Sequence, residues 1–184
     1  MTRSMRLLTF ILTLGFSITL ADANQQVLMQ VQWQQLSLQA DLINNEEKLQ
    51  RVQDLSAFIS LDTQTSTKLA KSPHQVFKTG SANQAELAFS KWLMYTKLGF
   101  APEDFRLIYL QRPKGQATQV WLAYYDGQDA KLITSNQIVD RSRLNSILTA
   151  SRMEIVSVVD PNQVLHSRLD KRQFAGQSQG MSYL

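Results

Sequence analysis

The sequence predicts an α+β domain in which N-terminal helices pack on an antiparallel sheet. Apolar residues recur at three- and four-residue steps from about residue 29 to 59 and again from 85 to 98, and beyond Pro102 the period changes to two. The chain has 184 residues, 43% of them hydrophobic, which suits one domain around one core. It has 7 glycines, 4 prolines and no cysteine. That composition excludes a collagen-like chain, a disulfide-stapled scaffold, a zinc ribbon and a thiol nucleophile.

Three segments are expected: a signal peptide at residues 1–23, a single domain at 24–170, and a tail at 171–184 rich in Gln, Gly and Ser. In the first, Arg3 and Arg6 precede the apolar run Leu7 to Leu20, and Ala21-Asp22-Ala23 offers small residues for cleavage. The run is shorter than the roughly 20 residues of a permanent span. The protein is therefore expected to be periplasmic or secreted, without membrane contact after cleavage.

Met29, Trp33, Leu36, Ala40 and Ile43 form one helical stripe, with glutamines on the other faces. Asn44 caps a second helix that opens with Glu46 and Glu47 and carries Leu49, Val52, Leu55 and Ile59 inward. Residues 60–71 lack either period and read as a loop. Ser72-Pro73 starts a short helix and Gly80 ends it. Asn83 caps the next helix, whose stripe Ala85, Ala88, Phe89, Trp92 and Tyr95 runs to Leu98-Gly99. Strands follow at 105–110, 120–125 and 130–134, the last two joined by an Asp126-Gly127 turn. Met153 to Val159 forms a further strand, and after Asp160-Pro161-Asn162 the residues Gln163 to Ser167 are expected to pair back as an edge.

Chemistry is sparse. The 19 Lys and Arg against 15 Asp and Glu give a net charge of +4 that is scattered, so nucleic acid is not an expected partner. His74 and His166 match no metal spacing, and no metal or cofactor is expected. Ser81 precedes a helix N-terminus, but no base is identifiable for it. Trp33, Trp92 and Trp121 each lie on an apolar stripe and read as core rather than as a ligand cage.

The stretch from Ser72 to Glu86, SPHQVFKTGSANQAE, resembles without a gap the pattern T-P-x-E-F-L-x-x-G-x-G-D-C-E-D of the bacterial transglutaminase-like cysteine proteinases. These are the LapG-like periplasmic proteases that release biofilm adhesins. The register continues through Ala88, Lys91, Leu98 and Gly99. Phe105 to Leu110 is similar to the family's L-R-L-x-Y-V strand, Gln116 to Tyr125 to its Q-x-H-M-V-L-A-Y-Y strand, and Leu132 to Gln137 to its V-L-D-N-L segment. The resemblance implies a papain/transglutaminase-like core.

It also implies vacant chemistry. The positions of the family's cysteine, histidine and aspartate carry Gln84, Gln119 and Ser135, none a chemical substitute for the residue it replaces. The acidic residues associated with calcium map to Asn83, Ala85 and Glu86, which leave a single carboxylate. The segment between Leu61 and Lys71 is shorter than the family's. The reading is a pseudoprotease whose groove, formed by Asn83, Gln84, Gln119, Trp121 and Ser135, binds a protein or peptide. The expected partner is an adhesin segment or the periplasmic domain of a membrane receptor. The alternative is a hydrolase or peptidase with a non-cysteine nucleophile.

Overall fold

The computed structural model describes residues 25–62, 69–113, 119–127 and 129–165. The signal peptide expected at 1–23, the tail expected at 171–184 and His166 lie outside the described residues.

Residues 25–39 are helical (α1) and continue into one tighter turn at Ala40–Leu42. Helix α2 is Asn45–Ser56, with the Asn44 side chain accepting from the Glu47 N–H at 2.8 Å. Ser60–Leu61 (β1) then pairs in parallel with Ser81–Ala82 (β2), so the segment expected to be only loop contributes a short strand. Between them runs α3, Pro73–Thr79, with a reciprocal cap between Ser72 and Gln75 at its start. Gly80 ends it at φ +62°, a left-handed backbone that glycine adopts without a Cβ penalty. Helix α4, Gln84–Lys97, follows Asn83.

The strands are β3 (Phe105–Gln111), β4 (Gln119–Asp126), β5 (Asp129–Ile133), β6 (Ile138–Asp140) and β7 (Glu154–Val159). They form an antiparallel sheet in the order β6-β5-β4-β3-β7, with a bulge where β7 meets Tyr109 and Leu110. Helix α5, Leu144–Ser151, connects β6 to β7.

Alternation along the strands divides the sheet into two faces. Phe105, Leu107, Val120, Leu122, Tyr124 and Ile133 pack against α1, α2 and α4 in the main core. Its densest part is aromatic: the rings of Tyr95, Phe100, Phe105 and Tyr124 lie 5.1–5.8 Å apart, and the Tyr95 hydroxyl donates to the Leu49 carbonyl at 3.1 Å. Burial of each such ring contributes about 1.5–3 kcal/mol. On the opposite face Ile108, Leu110, Trp121, Ala123, Leu132, Val139 and Met153 pack with Leu144, Ile147 and Leu148 of α5. The expected α+β arrangement holds, and α5 adds a back layer that periodicity did not announce.

The return edge expected at Gln163 to Ser167 is corrected: residues 161–165 are helical. Asp160 starts the turn, its carboxylate accepting from the Asn162 N–H at 2.8 Å and its carbonyl from the Gln163 N–H at 3.1 Å. Pro161 occupies the first helical position, which suits a residue lacking an N–H. Val164 and Leu165 then pack on the main core. Among the described residues no helix is long and apolar enough to cross a membrane.

Candidate functional site

The N-terminus of α4 sits at the centre of the fold because β2 leads directly into it. Asn83 caps the helix, its side chain accepting from the Glu86 N–H at 2.9 Å, and is only 5% exposed. The Glu86 side chain reaches back to the Asn83 N–H at 3.0 Å and also accepts from the backbone N–H groups of Ala70 and Lys71 at 2.9 and 2.6 Å. This buried carboxylate therefore fastens the segment before α3 to the start of α4. Three backbone donors occupy its oxygens.

One turn along, Gln84, Leu87, Ala88 and Lys91 face Val120 of β4 and Ile133, Thr134 and Ser135 at the end of β5. The crevice between them is too tight to admit a water molecule. Gln84 and Ser135 are thus brought to one crevice.

Gln119 is not. Its carboxamide oxygen accepts from the Trp121 indole N–H at 3.2 Å, and Trp121 belongs to the cluster under α5. Both side chains leave the sheet on the face opposite α4, while Val120 takes the wall beside Gln84. Of the five residues expected to form a groove, Gln84 and Ser135 line the crevice, Asn83 is spent on the helix cap, and Gln119 and Trp121 lie behind the sheet. The cause is strand geometry: neighbours in β4 point to opposite faces, so a position one residue away changes sides.

Beneath the crevice lies a residue that the sequence reading passed over as scaffold. Lys91 is 1% exposed. Its ammonium donates to Gln53 Oε1 and to the Thr134 carbonyl, both at 2.7 Å, and to the Ser135 carbonyl at 3.3 Å. Gln53 Nε2 also donates to the Ser135 carbonyl at 3.2 Å. The pair pins the loop carrying Ser135 against α4 and α2. Burial pushes the Lys91 amine down to about 7, because the charged form has been taken out of water. The signal for it was present, since Lys91 sits one turn from Ala88 and Tyr95 on the buried side of α4.

Ser81 has an unexpected neighbour. Lys71 Nζ lies 2.8 Å from Ser81 Oγ and also donates to the Ser81 carbonyl at 3.1 Å. The Asp62 carboxylate is 3.3 Å from the same nitrogen. Lys71 and Asp62 thus form an ion pair with the Ser81 hydroxyl beside it. His74 is exposed on α3 and is not among the hydrogen-bond partners of Ser81. Ser81 also borders an open hollow of about 160 Å³ with Gln25, Gln26, Met29, Phe58 and Ser60. The three tryptophans make no common cage: Trp92 stacks at 5.1 Å on Phe89, Trp33 borders the main core, and Trp121 is behind the sheet.

No protein-family model matches the chain, and no curated protein matches it. Solved structures do. LapG of Legionella pneumophila is 14% identical with a TM-score of 0.55, the match covering 74% of this chain and 82% of that one. Its calcium-bound form is 16% identical over the same shares, also at 0.55, and its EGTA-treated form is 14% identical at 0.56, over 75% and 81%. At such identity the likeness speaks for the fold. The chain is thus similar in architecture to LapG and has a transglutaminase-like fold.

Proposed function

We propose that this chain is an exported, non-catalytic counterpart of the transglutaminase-like cysteine proteases, a pseudoprotease that binds a protein or peptide where its structural relatives cut. The observation that carries the reading is the crevice at the start of α4. Gln84 stands there in a chain with no cysteine, Ser135 shares the crevice, and Val120 fills the wall where an acid–base side chain is needed. A carboxamide is neither a nucleophile nor a proton shuttle near neutral pH.

Binding then belongs to the rim rather than to the interior. Asn136 and Gln137 are exposed beside Ser135. With Gln84 they offer amide donors and acceptors of the kind an extended peptide uses. The proposed partner is an adhesin segment of the type such proteases release, or the periplasmic domain of a membrane receptor, which ties the chain to biofilm adhesin processing. The apolar run at Leu7 to Leu20 behind two arginines supports export.

The test is fluorescence-polarisation titration of the purified chain with a labelled adhesin cleavage-region peptide and with a receptor periplasmic domain. Saturable binding that weakens at least fivefold in Gln84→Arg, with the peptide intact by mass spectrometry, is expected. A cleaved peptide, or no binding to either ligand, would sink the reading. The alternative, a hydrolase with a non-cysteine nucleophile, has the 2.8 Å Lys71–Ser81 contact behind it. Turnover abolished by Ser81→Ala would favour it.

A further inference from the structure

Lys91 is folded away from water with no carboxylate to meet it. Gln53 of α2, Gln84 and Leu87 of α4, Val120 of β4, and Thr134 and Ser135 at the end of β5 surround it, and none of these titrates. The charged side chains of the same elements are engaged elsewhere. Glu86 holds the Ala70 and Lys71 N–H groups, Arg51 pairs with Glu47, Asp54 accepts from Gln50, and Lys131 pairs with Glu46. An ammonium buried among neutral oxygens is less stable than one in water, so the site favours either loss of the proton or exposure of the amine.

The exposure has a ready route. Residues 134–137 join β5 to β6 in a turn bonded to itself: the Thr134 N–H donates to the Gln137 carbonyl at 2.9 Å, and the Thr134 hydroxyl accepts from the Gln137 N–H at 3.1 Å. Such a turn moves as a unit. Among the described residues its hydrogen bonds to the helices run through two side chains, Lys91 to the Thr134 and Ser135 carbonyls and Gln53 Nε2 to the Ser135 carbonyl. The same turn supplies one wall of the crevice that holds Gln84. Lifting it away from α4 therefore opens the crevice and brings water to the amine in one movement.

We propose that Lys91 is a proton-operated latch on this turn: uptake of a proton favours release of residues 134–137 from α4 and opens the crevice beside Gln84 to a peptide. This regulation rests on the reading of that crevice as a peptide-binding site. In the closed form a peptide meets only the rim, and in the open form it also reaches the floor. The sign follows from linkage. Closed, the amine titrates near 7; in contact with water it titrates near 10.5. Between these values the open form holds a proton that the closed form has released, so the open-to-closed ratio rises as pH falls, by up to about tenfold per pH unit, and levels off below 7. A partner that selects the open form binds more tightly in the same direction.

Because the chain has no cysteine of its own, Val120→Cys places a single thiol in the crevice wall. Its labelling by methyl methanethiosulfonate is followed at pH 7, 8 and 9 and divided by that of Leu38→Cys, an 84% exposed position on α1, which removes the pH dependence of the thiolate itself. Leu122→Cys, two residues along the same face of β4 and 0% exposed, reports global unfolding. The relative labelling of Val120→Cys should rise at least fivefold from pH 9 to 7, exceed that of Leu122→Cys at least tenfold, and lose its pH dependence when Lys91→Met or Lys91→Gln is added. Labelling that ignores pH, that keeps its pH dependence without Lys91, or that matches Leu122→Cys would each overturn the latch. Fluorescence polarisation with the adhesin-region peptide reads the partner separately: affinity should rise at least threefold from pH 9 to 7 in the wild type and stay level in Lys91→Met. Gated labelling without peptide binding at any pH supports the latch and sinks the binding reading instead. Binding that is level with pH in the wild type would overturn the regulation.

Discussion

Replacing Lys91 with methionine keeps the length of the side chain and removes its ammonium, and the consequence depends on pH in a calculable way. The folded amine titrates near 7 whereas the unfolded one titrates near 10.5. Between these values the unfolded chain holds a proton that the folded chain has released. The unfolding free energy therefore rises with pH through that window, with a slope approaching about 1.4 kcal/mol per pH unit, and the stabilisation is absent below 7. The whole interval corresponds to at most about 5 kcal/mol. Gln53 Oε1 and the Thr134 and Ser135 carbonyls favour the ammonium and bring the real figure below that ceiling. At pH 9 the neutral amine of the wild type still donates to its oxygens, whereas Lys91→Met leaves Gln53 Oε1 and the Thr134 carbonyl without that donor, a loss of about 1–3 kcal/mol. Urea unfolding followed by tryptophan fluorescence at pH 6, 7, 8 and 9 measures both effects. The wild type should gain more than about 1 kcal/mol from pH 7 to 9, the variant should be flat, and the two curves should converge toward pH 6. A wild-type curve without slope, or a variant parallel to it, would refute the reasoning. Burial raises the Tyr95, Tyr109 and Tyr124 phenols, so the fold keeps protons above pH 10 that the unfolded chain loses, and stability should fall there.

Other perturbations are more local. Glu86→Gln replaces a carboxylate that accepts from three backbone N–H groups with an amide that has a single acceptor oxygen, and should cost about 2–3 kcal/mol by urea midpoint; a loss under about 0.5 kcal/mol would contradict the bonding described. Gly80→Ala meets nothing closer than Gln26 Nε2 at 3.8 Å, so its cost should be the left-handed backbone alone, about 1 kcal/mol. Leu148→Ala on α5 removes part of the back layer and should lower the melting temperature by several degrees, while leaving the near-ultraviolet signal of the Tyr95 cluster intact. Loss of that signal would mean that the two faces of the sheet do not pack as separate clusters.

Much of this fold is written in local chemistry. Asn44, Ser72-Pro73 and Asn83 each start a helix as their side chains dictate, and Gly80 and Gly127 take the left-handed turns at φ +62° that their positions suggest. Helix α5 escaped because it lacks such punctuation. Its N-cap, Arg143, has no side-chain cap bond, none of its residues is buried, and it ends on Arg152 at φ +52°, where glycine or asparagine would have announced a stop. The 161–165 helix was misread as a strand although Asp160-Pro161 is a helix-start pair.

The site was legible in part. Gln84 and Ser135, taken from the family resemblance, line one crevice. Gln119 entered through the family resemblance, and with Val120, Trp121, Leu122, Ala123 and Tyr124 all buried the strand pattern offered no check on its side of the sheet. A strand covered on both sides has no alternation from which to read which parity faces α4. Lys91 went unread because a lysine on an apolar stripe is recognised as buried only once its three oxygen partners, distant in sequence, are brought to it.

The proposed pseudoprotease reading turns on whether the crevice beside Gln84 and Ser135 supports any turnover. Its most direct test is turnover of a quenched-fluorescence peptide library by the purified chain, with Gln84→Ala and Ser135→Ala beside the wild type. The account predicts no cleavage above buffer for all three; sustained cleavage by the wild type that either substitution removes would contradict it.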